Sequence, residues 1–358
     1  MSSITKTQIE MALSHVMDPD LGRNLVELNM IENITVDGLN VSFDLVLTTA
    51  ACPMKNKMKE DCINAIHELV DRNANVQVNL TARPQQMPDP KTEFPNIKHT
   101  ILVASGKGGV GKSTVAANLA IALATTGAKV ALCDADIYGP SVPTMFHIDA
   151  EDVFGEVHDG KEYMIPIEKY GIKLMSIGFL VDAGKALVWR GPMASNALKQ
   201  MLTQTWWGDI DYFVVDMPPG TGDVQLTVAQ TLPVSGAVMV STPQQVAIAD
   251  VTRAAEMFSM DGVNIPILGF VENMAYFTPA ELPDKKYYIF GKGGCVKLAQ
   301  ELNLPVLGEI PLVQSIAESS DEGKPVAMWT DTPGPENLAF RSLADNVIKE
   351  ICKAEASK

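Results

Sequence analysis

Short, nearly continuous apolar runs recur along most of the chain: 101–104, Lys129–Cys133, Ile172–Ile177, Tyr212–Val215, Gly236–Thr242, Ile267–Val271 and Leu304–Ile310. They lack the alternation of a half-exposed strand, so they predict strands buried on both faces, as in a parallel sheet. Helical spacing falls between and after them, at Val115–Thr125, from Trp189-Arg-Gly-Pro-Met193 to about Leu202, at Asp250–Met260 and at Pro335–Cys352. Phe154–Ile167 alternates weakly around Gly160 and predicts a hairpin. The first part of the chain reads differently. Gln8–Met17 carries Ile9, Ala12, Leu13 and Val16 at helical spacing. Ile31–Val36 and Val41–Leu47 flank Asp37-Gly38 as a hairpin. A second helix starts at Pro53, runs to about Asp71 and places Met54, Met58, Cys62, Ile66 and Leu69 on one side; Val76–Leu80 is a last strand. The order αββαβ predicts a small α+β domain over residues 1–82. Pro84, Pro88, Pro90 and Pro95 then mark a semi-stiff linker over 83–98, ahead of an α/β domain at 99–358.

Composition narrows the function classes. A formal charge of −15 over 358 residues speaks against general affinity for nucleic acid or anionic membranes. No apolar run reaches membrane-spanning length, and the first residues lack an apolar signal core, so a cytoplasmic location is expected. The five cysteines (Cys52, Cys62, Cys133, Cys295 and Cys352) are scattered and odd in number, which suits a reducing compartment rather than a disulfide framework. Cys62 and Cys133 sit on apolar faces and read as core. Cys52 precedes a helix, with Lys55 and Lys57 near it, where a thiol can be activated.

The strongest chemical signal follows the first apolar run. Gly106, Gly111, Lys112 and Ser113 fit the phosphate-loop pattern G-x-x-x-x-G-K-S/T, with Lys107, Gly108, Gly109 and Val110 inside it and Thr114 after it. Glycines let backbone N–H groups face a phosphate, and the following helix adds partial positive charge. Lys112 reaches the outer phosphates, and the Ser113 hydroxyl ligates magnesium. Gly106, Gly108 and Gly111 also fit a dinucleotide pattern, but the Lys-Ser ending decides for a nucleoside triphosphate. A second strand ends in Asp134-Ala-Asp136, so both carboxylates fall near the phosphates. One of them suits magnesium or an attacking water; the other suits a cap on the next element. Tyr212–Asp216 ends at the position of a magnesium-linked aspartate, and Pro218-Pro-Gly-Thr-Gly222 suits a loop that senses a terminal phosphate. Asn273, just past another strand, offers the donor and acceptor that base recognition needs. Gly291-Lys-Gly-Gly294 looks like a second phosphate loop but lacks the Lys-Ser ending and reads as a turn. Arg190 suits a salt bridge or a phosphate contact, and the terminal helix suits packing on the sheet rather than a membrane surface.

These motifs resemble a known family. Gly106-Lys107-Gly-Gly-Val-Gly-Lys112-Ser-Thr is similar to the deviant phosphate loop of the nitrogenase iron protein and of the septum-placing and plasmid-partition ATPases. Asp134-Ala-Asp-Ile-Tyr-Gly-Pro-Ser141, Asp216-Met-Pro-Pro-Gly-Thr-Gly-Asp223 and Glu272-Asn-Met-Ala-Tyr-Phe277 resemble the Mrp-type iron–sulfur cluster carrier ATPases. The segment with Asp18-Pro19 and Cys52-Pro53 resembles the MIP18-type domain often fused in front of them. The resemblance implies a phosphate-loop NTPase fold, slow magnesium-dependent ATP hydrolysis, and a nucleotide-sandwich homodimer. In that dimer Lys107 reaches the partner's phosphates, Asp136 orients the attacking water, Asp216 holds magnesium through water and Asn273 reads adenine. It implies a 4Fe–4S cluster as cargo and apo iron–sulfur proteins or scaffold proteins as partners. The family's usual Cys-x-x-Cys pair after Glu-Asn-Met is missing, because 278–284 holds no cysteine. Cys295 and Cys52 are the remaining candidate thiolates. Two rival readings stay open: a nucleotide-switched adaptor that carries no cluster, and a partition ATPase, which the acidic balance opposes.

Overall fold

The computed structural model describes residues 4–17, 23–47, 55–82, 90–148, 153–158, 160–180, 189, 191–279, 281–282, 285–328 and 334–356. The chain divides into two compact units, Met1–Pro88 and Asp89–Lys358. Asp18-Pro19, the 48–54 loop with Cys52 and Pro53, and Arg190 lie outside the described residues.

In the first unit α1 (Lys6–Leu13), β1 (Ile31–Asp37), β2 (Asn40–Leu47), α2 (Lys55–Leu69) and β3 (Asn75–Ala82) follow in the expected order. α1 starts earlier than its apolar spacing indicates because Thr5 and Gln8 form a capping box, and it stops at Leu13. Thr5 N–H donates to Gln8 Oε1 at 2.9 Å and Gln8 N–H donates to Thr5 Oγ1 at 3.4 Å. β1 and β2 pair antiparallel, and β3 returns parallel to β2 across α2. Ile9, Leu13, Phe43, Leu45, Cys62 and Ile66 form its core. Burial pushes the Cys62 thiol up to about 12, as suits an inert core cysteine.

The second unit starts with α3 (Pro90–Glu93) and β4 (Ile97–Ala104). Phe94 and Ile97 are buried in its core, so the sheet takes up 97–98, which proline spacing alone assigns to the linker. The chain continues through α4 (Lys112–Ala124), β5 (Val130–Asp134), α5 (Val142–Met145), the hairpin β6 (Phe154–His158) and β7 (Lys161–Ile165), β8 (Ile167–Lys169) and β9 (Ile172–Ser176). Next come α6 (Gly191–Thr203), β10 (Ile210–Asp216), α7 (Asp223–Thr231), β11 (Val234–Ser241), α8 (Gln245–Ser259) and β12 (Ile267–Glu272). The last elements are α9 (Gly294–Glu301), β13 (Val306–Glu309), α10 (Gln314–Asp321) and α11 (Pro335–Ala356).

Eight strands form one sheet in the order β13-β12-β11-β4-β10-β5-β9-β8, parallel except where β8 runs against β9. The expected α/β architecture is therefore present. β4, β10 and β5 lie side by side, and their register sets Asp216 opposite Val103 on one side and Asp134 on the other. The loops that leave these three strands thus meet at one edge. α4 is buried along nearly its whole length, which explains its run of Val, Ala, Leu and Ile without a polar face. α11 buries Phe340, Leu343, Val347 and Ile351 in the same core, so it packs on the domain rather than on a membrane surface. No described helix is long and apolar enough to cross a membrane.

Candidate nucleotide site

The loop between β4 and α4 is shaped by two close approaches. At Gly106 a Cβ would lie 2.0 Å from the Asp250 carbonyl carbon, so any other residue would collide with the backbone of α8. Gly111 is the N-cap of α4 in the left-handed region at φ 80°, and a Cβ there would lie 2.2 Å from Asn273 Nδ2. Lys107, Gly108, Gly109, Gly111, Lys112, Ser113 and Thr114 line a cavity of about 290 Å³, with Asp136, Ser141 and Pro219 on other parts of its wall. Larger hollows, about 620, 770 and 340 Å³, lie beside α8, beside the β6–β7 hairpin and at the starts of β5, β9 and β10, and none touches the glycine loop, Asp136 or Asp216.

The charged groups expected from the sequence come together here. Lys112, only 6% exposed, gives its ammonium to Asp216 Oδ1 and lies 3.5 Å from Asp136 Oδ2 and 3.3 Å from Ser113 Oγ. Burial raises the Asp216 carboxyl above its ordinary range, and Lys112 pulls it part of the way back. Asp216 Oδ2 and Asp136 Oδ1 are buried and have no hydrogen-bond partner among the described residues. Free carboxylate oxygens beside a serine hydroxyl are a hard donor set, so the residues present fit a hydrated magnesium ion. Lys107 lines the same cavity, half-exposed, and makes no ion pair with any described residue.

The two aspartates at the end of β5 divide the roles that the sequence left open. Asp134 is fully buried and is the cap. Its Oδ2 accepts the N–H groups of Ser141 and Val142 and the Ser176 hydroxyl, each at 3.0 Å, and its Oδ1 accepts the Asp136 N–H at 3.2 Å. Burial first, and then the Asp216 charge, push its carboxyl to about 7. Asp136 is left facing Lys112.

Asn273 also supports the loop itself. One N–H of its Nδ2 donates to the Val110 carbonyl at 2.8 Å, tying the amide to the glycine loop. The second N–H and the Oδ1 acceptor are left for other contacts. Gly293, at φ 67°, caps α9, and the nest it forms is filled from within the protein. Glu272 accepts the N–H groups of Gly293 at 3.1 Å and Cys295 at 2.7 Å. That occupation explains why the phosphate-like 291–294 turn is not a second nucleotide loop. Cys295 is fully buried, its Sγ turned toward the carbonyls of Ser241 and Val271, and burial pushes its thiol far above the ordinary range. It therefore presents no thiolate at the surface, and among the described residues no three His, Cys, Asp or Glu side chains are grouped to hold a metal.

Sequence reading missed Gln225. This buried side chain accepts the Gly222 N–H at 2.8 Å and donates to the Pro219 carbonyl, closing the turn that ends β10 onto α7. Its signal was the capping spacing, Gly222 to Gln225, at the head of a helix too short to show a period. Glu272 had no such signal, because its partners lie some twenty residues further along the chain.

Comparison with known proteins agrees with this geometry. Residues 96–348 match the family model described as NUBPL iron-transfer P-loop NTPase, and residues 6–80 match that of an iron–sulfur cluster assembly protein. The chain is 47% identical over 345 residues to the iron–sulfur cluster carrier protein of Synechocystis, covering 95% of each. It is 40% identical over 350 residues to the chloroplastic Fe–S cluster assembly factor HCF101 of Arabidopsis thaliana, covering 96% of this chain and 63% of that one. Among solved structures, a nucleotide-binding protein from Archaeoglobus fulgidus in complex with ADP is 39% identical with a TM-score of 0.57, covering 66% of this chain and 90% of that one. The chain belongs to the iron–sulfur cluster carrier family, nucleotide-binding phosphate-loop NTPases that here carry an iron–sulfur assembly domain in front.

Proposed function

We propose that the protein is a magnesium-dependent ATPase that closes as a homodimer on ATP and carries iron–sulfur clusters to apo-proteins in the cytoplasm. The observation that carries the nucleotide chemistry is the meeting of Lys112, Asp136 and Asp216 in one cavity with two carboxylate oxygens unpartnered. Bound phosphates would compete with Asp216 for the Lys112 ammonium; Ser113 and Asp216, the latter through water, would hold a magnesium ion, which would supply neutralisation of phosphate charge. Asp136 then orients the attacking water. The Lys107 side chain lines the cavity without an ion pair among the described residues, which supports a role across the dimer. The first unit, Met1–Pro88, acts as the assembly domain and the second, Asp89–Lys358, as the motor. Phosphate release by the wild type but not by Lys112→Ala, together with ATP-dependent doubling of mass, tests this reading. A Lys107→Ala variant that loses dimerisation and hydrolysis but keeps nucleotide binding supports the crossing lysine; equal loss of all three sinks it.

One observation favours a second reading. The stretch after Glu272-Asn-Met holds no cysteine and Cys295 is buried, which supports a nucleotide-switched adaptor that binds client proteins without holding a cluster itself. Anaerobic reconstitution with iron and sulfide separates the two. Cluster absorbance that transfers to an apo-ferredoxin favours the carrier; a colourless protein that still hydrolyses ATP favours the adaptor. No affinity for DNA or vesicles is expected from either.

A further inference from the structure

We propose that the segment from Tyr276 to Lys292, between β12 and α9, is a docking arm for an acidic client protein. Tyr287, Tyr288 and Ile289 supply the apolar contact, and Lys285, Lys286 and Lys292 supply the charge. This rests on the reading above in which the chain serves apo iron–sulfur proteins, and it adds the surface that receives them.

The arm is anchored at both ends. Phe277 and Tyr287 each donate a backbone N–H to the other's carbonyl at 2.8 Å, and the Leu312 N–H donates to the Tyr276 carbonyl at 2.8 Å. At the far end Glu272 fills the α9 cap, and a Cβ on Gly294 would lie 2.4 Å from the Pro243 carbonyl oxygen. Yet the arm turns its large side chains outward. Tyr287, Tyr288 and Ile289, consecutive in the chain, are 47, 40 and 60% exposed. Single exposed apolar residues are ordinary, but a contiguous group of them marks a surface meant for a partner. Tyrosine is also among the residues that carry most of the energy in protein interfaces.

The charge on the arm selects the partner. Lys286 Nζ lies 3.7 Å from the centre of the Tyr276 ring, and Lys292 Nζ lies 4.7 Å from that of Tyr288, so both ammonium groups are held on aromatic faces. Lys285, Lys286 and Lys292 are exposed and form no ion pair with any described residue. Residues 285–297 hold four lysines and no acid, after Glu281 and Asp284, in a chain whose net charge is −15. The complement of such a patch is a cluster of carboxylates. A second copy of the arm would set lysine against lysine. DNA or an anionic membrane would extend past the arm over the acidic remainder of the chain and be repelled there. A folded protein with one acidic face meets the arm alone.

The test measures binding of the full-length protein to an acidic apo-ferredoxin at low and at raised salt. Wild type is compared with the double variants Tyr288→Ser with Ile289→Ser and Lys285→Glu with Lys292→Glu. Each is expected to bind about tenfold or more weakly, and the charge variant should lose most of the salt dependence of the wild type. Thermal midpoints and ADP affinity should stay at wild-type values, because the substituted side chains are exposed. Cluster transfer from reconstituted wild type to the same ferredoxin reads the underlying function separately. Wild type that transfers, with binding unchanged in both variants, overturns the arm alone. Wild type that neither binds nor transfers overturns the client reading, and the arm falls with it. Binding of duplex DNA or phosphatidylglycerol vesicles that both variants weaken, without binding of the ferredoxin, would make the arm a polyanion site and overturn the acidic-protein assignment.

Discussion

Asn273 at the end of β12 holds the glycine loop from behind, its amide nitrogen 2.8 Å from the carbonyl oxygen of Val110. The same nitrogen occupies the space that a Cβ on Gly111 would need. Two residues more than 160 positions apart thus fix the shape of the phosphate cradle. Asn273→Ala leaves the Val110 carbonyl unpartnered in a buried place, which costs roughly 1–3 kcal/mol. We expect nucleotide affinity to fall about tenfold or more by calorimetry, for ADP as much as for ATP. Gly111→Ala, strained at φ 80° and in collision with Asn273, is expected to abolish binding. A variant that loses base selectivity but keeps full affinity would instead make Asn273 a base reader alone.

Gln225 fixes the loop after β10 in a comparable way, with one donor and one acceptor contact. Gln225→Glu keeps the acceptor for the Gly222 N–H but sets a carboxylate against the Pro219 carbonyl. Hydrolysis at pH 8 should fall roughly tenfold, the equivalent of about 1.4 kcal/mol. Burial raises such a carboxyl above its ordinary value, and the protonated form recovers the donor. The ratio of variant to wild-type rate is therefore expected to rise as the pH falls from 8 towards 6. A ratio flat across that range would show that the donor contact is idle.

What the sequence made legible was whatever is coded locally. The glycine loop, the β10 aspartate and the seven short apolar runs each carry their pattern within a dozen residues, and the structure has all of them. The roles of Asp134 and Asp136 were not separable, because both lie on one strand end. Only the return of Ser141 and Val142 to Asp134 decides which is the cap. Glu272 stood in a motif, but its part in filling the α9 cap was not readable, because its partners, Gly293 and Cys295, arrive through a long loop. α9 and α10, at eight residues each, are too short for a helical period to stand out.

Asp134 gives the unliganded fold a pH dependence with a definite sign. Its carboxyl is raised from 3.8 to about 7 by burial and by Asp216, so the folded chain holds a proton there that the unfolded chain has released. The stability it contributes is fully present below pH about 4 and is lost as the pH rises through about 7. Asp134→Asn removes that titration. The variant is expected to be the less stable protein at pH 5 and to close the gap by pH 8, with thermal midpoints in nucleotide-free buffer as the measure. A gap that is constant or widens with pH would mean that Asp134 is charged throughout.

The cysteines give the sharpest test of where a cluster can sit. Cys62, Cys133 and Cys295 are buried, and burial raises the thiol of each above its ordinary value. Cys352 on α11 is exposed. Thiolate is the reactive form, so brief alkylation of the native protein should label Cys352 and spare those three until the chain is unfolded. The prediction extends to the cargo. Cys295→Ala removes a packed sulfur from under the α9 cap and should lower the thermal midpoint slightly, without changing iron content after reconstitution. If reconstituted wild type holds iron, Cys52→Ala is then expected to lower it, since Cys295 is enclosed by its own domain. Loss of iron in the Cys295 variant alone would require the α9 cap to open. Protection of Cys295 from alkylation should in that case disappear in the protein that has just released its cluster, and mass spectrometry would see both events at the same residue.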